Sequence, residues 1–239
     1  MLRQKIFGGF DHNERFKRRG KEIMRVEALS DAVFAFSVSL LVASLEVPQT
    51  FDELAQSING ALPFFATVAV LFTLWYQQYI FFRHYGMNDF FTIMLNLVYL
   101  AVILFYVYPM KFLFSLLLTA WTGINLFPRA AGRTVITAGQ FRELIVLYSV
   151  GYFLIWAILF LLHQRAIHIS TKLELSRYEL AYTRKERRGA FLNCMIGLIA
   201  APVAWIGPDW LSGICYLMIP VVLVLNEAMF KRQVRKAAI

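Results

Sequence analysis

The chain has 239 residues, of which 59% are hydrophobic, 16% aromatic and only 16% charged. A water-soluble domain carries about 25% charged residues, so this composition leaves too little polar surface for a soluble globule. The formal charge of +9 sits in blocks that flank apolar runs, which points to a membrane surface and excludes nucleic acid as the partner.

Residues 1–24 form a basic N-terminal segment, too long for a cleavable signal, and no small-residue cleavage site follows the first apolar run. The composition predicts an all-α integral membrane protein with a six-helix unit over 25–230 and a basic tail over 231–239. The first span is predicted at 28–47. The second is predicted at 61–83, preceded by TFDE (Thr50 to Glu53), which has the pattern of a helix-starting capping box. The third is predicted at 91–119 and the fourth at 141–163. The fifth, 190–206, and the sixth, 210–229, are separated by the turn IGPD (Ile206 to Asp209). Between the fourth and fifth lies a basic stretch, 164–189, with a second candidate capping box, TKLE (Thr171 to Glu174). It reads equally as a cytoplasmic helical extension lying near anionic lipid or as a solvated basic linker.

The Lys/Arg distribution sets the orientation. Of 24 such residues, 20 fall on one side when both termini are placed in the cytoplasm. Trp121, Trp205 and Trp210 then lie at the outer ends of their helices, as an aromatic belt would. Cys194 and Cys215 fall inside apolar runs and read as buried free thiols.

Catalytic chemistry has no visible residues. No Gly-rich phosphate loop, CxxC, HExxH or GxSxG is present, and the four histidines lack metal-ligand spacing. No catalytic residue, cofactor or protein-bound metal is expected, so an enzyme is excluded in favour of transport or a structural role.

The first span, RVEALSDAVFAFSVSLLVA, carries the informative pattern. Phe36, Leu40, Ala43 and Val47 form one apolar stripe at 100° per residue. Ala28, Ala32, Ala35, Ser39 and Ala43 form a neighbouring ridge of small residues, where another backbone can come close. Ser30, Ser37 and Ser44 recur every seven residues on a third face. Asp31 points about 140° away from Phe36. A carboxylate within a span needs a partner and marks function.

Arg25, three residues, then Leu29-Ser30-Asp31 resembles the first helix of the transmembrane protein 175 potassium channels of lysosomes and bacteria. The similarity extends to LEVP (Leu45 to Pro48), Trp75 in the second span, and Asn96, Leu97 and Pro109 in the third, covering roughly 25–115. The resemblance implies a homotetramer whose first helices surround a potassium pore without a carbonyl filter loop, potassium being the permeant ion. It assigns the constriction to Phe36 and the ion-facing hydroxyl to Ser39, with Leu40 and Ala43 further along the same stripe. Arg25, Ser30 and Asp31 would brace the pore helices. The sequence departs from the family pattern at Leu29 (usually Phe), Phe36 (usually Ile or Leu) and Ser39 (usually Thr). A poorly selective cation or proton channel of the same fold, and a non-conducting membrane scaffold docking through 165–188, are the alternative readings.

Overall fold

In the computed structural model the described residues are 16–43, 49–51, 58, 61–123, 126–127, 135–207 and 209–237. Six helices follow one another: α1 (Arg25–Ala43), α2 (Ala61–Tyr85), α3 (Phe90–Thr122), α4 (Ala138–His168), α5 (Arg177–Ile206) and α6 (Asp209–Ala237). Among the described residues there is no strand. The first five helices are long and apolar enough to cross a membrane. The uncharged part of α6 is shorter. It runs from Trp210 to Leu225 before Asn226 and Glu227 intervene, about 16 residues or roughly 24 Å of helix.

The basic stretch between the fourth and fifth spans is helical at both ends and turns in the middle. α4 continues to His168 and α5 begins at Arg177, with turns over 169–174 between them. The start expected at TKLE is therefore corrected to the next such motif, SRYE. There the Ser176 hydroxyl accepts from the Glu179 amide at 3.2 Å, and the Glu179 carboxylate accepts from the Ser176 amide at 2.8 Å. TKLE is used differently: the Leu173 carbonyl accepts from Arg19 Nε at 2.7 Å, and Glu174 bends the chain at φ 50°. Thr137 and Gln140 build a capping box on α4 that the sequence reading does not anticipate. The candidate box TFDE lies largely outside the described residues.

α4 and α5 make the closest helix pair. A Cβ on Gly197 would lie 3.1 Å from both the Ser149 carbonyl oxygen and the Phe153 nitrogen, so a glycine there lets the two backbones approach. α3 joins this pair through two phenols: Tyr106 donates to the Leu147 carbonyl at 2.6 Å, and Tyr148 donates to the Pro109 carbonyl. The aromatic core, Phe81, Phe82, Tyr85 and Tyr99 with Leu159 and Leu162, is wholly buried toward the basic end of the bundle.

Across that end runs the segment 16–24, which leads directly into α1. Phe16 stacks on His84 at 4.1 Å and meets Tyr85 and Tyr182 edge-on. Arg19 holds Glu179 with both guanidinium nitrogens, each at 2.9 Å, and the Lys17 amide donates to the same carboxylate at 2.8 Å. The Arg19 and Gly20 amides both donate to the Arg83 carbonyl at 3.1 Å, and a Cβ on Gly20 would meet the Phe82 oxygen at 2.5 Å. Arg83 in turn reaches Glu27 in the first turn of α1 at 3.0 Å. A strap of backbone and charge thus pins the start of α1 to α2 and α5.

Glu179 stands in the polar first turn of α5, ahead of the apolar run that begins at Ala190. Burial opposes its charge, but the hydrogen bonds from Arg19 and from the Ser176 and Lys17 amides prevail and hold its carboxyl down at about 2. The folded value is below the ordinary one of 4.5, so the pair contributes its full stability above pH 4.5 and loses it as pH falls toward 2. Amide exchange in residues 16–24 of the full chain, taken relative to the intrinsic rate at each pH, should accelerate through that window. In Glu179→Gln it should be fast already at neutral pH, with a stability loss of about 3 kcal/mol from the lost ion pair.

Candidate functional site

α1 buries Val26, Glu27, Ser30, Phe34, Ser37 and Leu41, a stripe spaced three and four residues apart that packs on α2 and α3. The two serines bond back to their own helix, Ser30 to the Val26 carbonyl at 2.7 Å and Ser37 to that of Val33 at 2.8 Å. Ser30 does more. Its oxygen accepts from Gln78 Nε2 of α2 at 2.5 Å and from Asn96 Nδ2 of α3 at 3.0 Å. Gln78 also donates to Asn96 Oδ1 at 2.7 Å. Three helices therefore meet at one hydroxyl that is 1% exposed. An amide buried in a span without such partners would cost several kcal/mol. Tyr99, three residues after Asn96 on α3, is also buried, and its hydroxyl donates to the Leu74 carbonyl of α2 at 3.0 Å.

Asp31, the next residue, turns out of this knot and is exposed. It accepts from Trp75 Nε1 of α2 at 2.7 Å. It lies on a cleft of about 520 Å³ whose walls include Phe34, Phe72, Trp75 and Tyr76. Arg25 is exposed, and among the described residues no side chain pairs with it. Within one chain, then, Ser30 and Asp31 tie α1 to its neighbours through separate contacts, and Arg25 joins neither.

The remaining face of α1 is uncovered. Leu29, Ala32, Phe36, Ser39, Leu40 and Ala43 are all exposed, Phe36 at 55% and Leu40 at 39%. At 100° per residue they lie within about 60° of Phe36, and Arg25 falls on the same line at the basic end. Ser39 donates to the Ala35 carbonyl at 3.0 Å, which turns its oxygen lone pairs outward. This face offers an aromatic ring, aliphatic groups and one hydroxyl. Val47 and Ser44 lie outside the described residues. Among the described residues no cluster of three His, Cys, Asp or Glu side chains could hold a metal ion, and Cys194 is a buried thiol.

Gln78 is the buried polar residue that sequence reasoning misses. The available signal is an uncharged amide in the middle of an apolar run, which requires a hydrogen-bonding partner as firmly as a carboxylate does. Glu27 is missed likewise, 6% exposed and paired with Arg83.

Ser30→Ala strands two buried amide donors, so thermal unfolding of the purified chain should show a loss of about 1–3 kcal/mol. Ser39→Ala, on the uncovered face, should cost no more than about 0.5 kcal/mol in the same assay.

A family model described as endosomal/lysosomal potassium channel TMEM175 matches residues 25–106, the part of the chain that holds the α1–α2–α3 knot. A protein of Marivirga tractuosa named "Potassium channel" is 36% identical over 233 residues, covering 93% of this chain and 94% of the relative. The potassium channel MtTMEM175, solved as a single-residue variant in complex with a nanobody–MBP fusion, superposes with a TM-score of 0.81 at 33% identity. That match covers 92% of this chain and 98% of the other. A lysosomal potassium-selective channel TMEM175 homologue from Chamaesiphon minutus shares the fold at 22% identity, with a TM-score of 0.52 over 84% of this chain and 96% of that one. With its six helices, its spans and this relationship over nearly its whole length, the chain is a multi-pass membrane protein and belongs to the TMEM175 family.

Proposed function

We propose that the chain is a passive potassium-selective channel in which four copies set their α1 helices around a common axis, Phe36, Ser39, Leu40 and Ala43 facing the ion path. The observation that carries this reading is the uncovered face of α1: an apolar line with a single hydroxyl, directly opposite the stripe that anchors the helix. The potassium-channel names of the relatives support the same reading.

The physical account is a narrow apolar throat. Four Phe36 rings exclude water and set a dewetting barrier, and four Ser39 hydroxyls one turn further on replace part of the hydration shell of an ion that passes. In this arrangement no carbonyl loop is needed. The small ridge of Ala28, Ala32 and Ala35 lets neighbouring helices approach closely beside the throat. Arg25, which pairs with no described side chain of its own copy, reaches Asp31 of the adjacent copy across the cleft at Trp75, which completes the brace. The basic 164–189 stretch and the C-terminal tail lie at the cytoplasmic surface against anionic headgroups.

Potassium flux into liposomes loaded with the purified chain tests this directly. Phe36→Ala should raise flux about tenfold, as expected if a barrier near 1.4 kcal/mol is removed. Ser39→Ala should leave conduction in place and reduce the potassium-over-sodium permeability ratio severalfold. Absence of flux under every gradient would remove the proposal and favour a scaffold. Equal potassium, sodium and proton permeability in the unaltered chain would favour a poorly selective channel of the same fold.

A further inference from the structure

Phe36 does not stand alone on the uncovered face of α1. Leu29, two turns earlier, is 46% exposed and lies about 20° from it around the helix axis. Ala32, between them and about 40° from Phe36, is exposed and small. Arg25 follows one turn further toward the basic end, so Leu29 is the first apolar side chain on the line from that side.

The two positions are held differently. The polar ties from α1 to other helices described above start in its first two turns. Glu27 reaches Arg83 at 3.0 Å, Ser30 accepts from Gln78 and Asn96 at 2.5 and 3.0 Å, and Asp31 accepts from Trp75 at 2.7 Å. Leu29 stands inside this group, between Glu27 and Ser30. Its backbone cannot turn without breaking hydrogen bonds in a dry interior. Phe36 stands beyond the group. The hydroxyls of Ser37 and Ser39 bond back to α1 itself, and the buried stripe there, Phe34, Ser37 and Leu41, is held by packing. Apolar packing within a membrane resists rotation less, because lipid tails replace it readily.

We propose that Leu29 forms a second apolar ring toward the basic end of the ion path, fixed in width, in series with a Phe36 ring that is free to open and close. This rests on the reading in which four α1 helices surround the path with Phe36 facing it. A residue about 20° from Phe36 on the same helix then faces the same axis. Two turns, about 10.5 Å, separate the rings. Between them Ala32 leaves a wider chamber. An ion entering from the basic end passes Leu29 first and is held in the chamber until the Phe36 ring wets. The fixed ring sets how fast ions pass an open channel, and the movable ring sets how often the channel is open.

Single-channel recording of the reconstituted full chain separates those two quantities. Leu29→Ala should raise the unitary conductance about twofold and Leu29→Phe should lower it by about half, both with open probability unchanged. Phe36→Ala should act mainly on open probability. In Leu29→Cys, a charged thiol reagent should cut the current at least about tenfold faster from the side of the basic segments than from the other. Silence of the unaltered chain under every gradient removes the channel reading and the ring with it. A conducting chain with the same unitary conductance in Leu29→Ala and Leu29→Phe keeps the channel and overturns the ring. Dissociation of Leu29→Ala into monomers, with unaltered conductance in the tetramers that survive, also overturns it, because Leu29 is then a contact between copies. Equal reaction of Leu29→Cys from both sides contradicts its placement outside Phe36.

Discussion

The oxygen of Ser30 is the point on which the rest of this fold turns. Apolar contact alone cannot fix how a helix is rotated inside a membrane, because lipid tails are as apolar as the neighbouring side chains. A buried hydroxyl that accepts from Gln78 and Asn96 while donating to Val26 can, since any other rotation leaves amides unpaired in a dry interior. Rotating α1 by one residue would move every side chain by about 100° and carry Phe36 toward α2 or α3. The polar knot therefore sets which residues remain on the open face, and that face is the one to which conduction is attributed.

Position along the helix axis is fixed separately, at the basic end. Glu27 in the first turn of α1 is held by Arg83, which also donates to the Gly20 carbonyl at 2.7 Å. Gly20 belongs to the strap whose Arg19 grips Glu179. The two devices differ in kind. The knot is neutral and sits at membrane depth, where charge is expensive; the strap is ionic and sits beyond the spans, where charge can be solvated during folding. Together they leave α1 little freedom to rotate or slide within a single chain, so movement of its open face requires either to yield.

Much of this is legible in the residues, and the failures have physical causes. The spans follow from run length and from Lys/Arg blocks, because hydrocarbon thickness and charge cost are simple constraints. Ser30, Asp31, Trp75 and Asn96 stand out as a pattern, and the structure brings them together as two contacts around α1. Gln78 escapes notice because an amide carries no charge and breaks no periodicity. The strap escapes notice because it depends on Arg19 and Glu179, 160 residues apart, a pairing that no local spacing encodes. TKLE and SRYE both satisfy the capping rule, but Glu174 takes a positive φ that a right-handed helix cannot continue through, and the box forms at SRYE.

The central claim is that the knot aims one particular face of α1 at the ion path. It is tested most directly by placing single cysteines along α1 and applying a charged thiol reagent during bilayer recording in potassium. Current should be blocked at Phe36→Cys, Ser39→Cys and Ala43→Cys, and should be insensitive at Phe34→Cys and Ser37→Cys on the buried stripe. Block on the buried positions with the open face unreactive would contradict it.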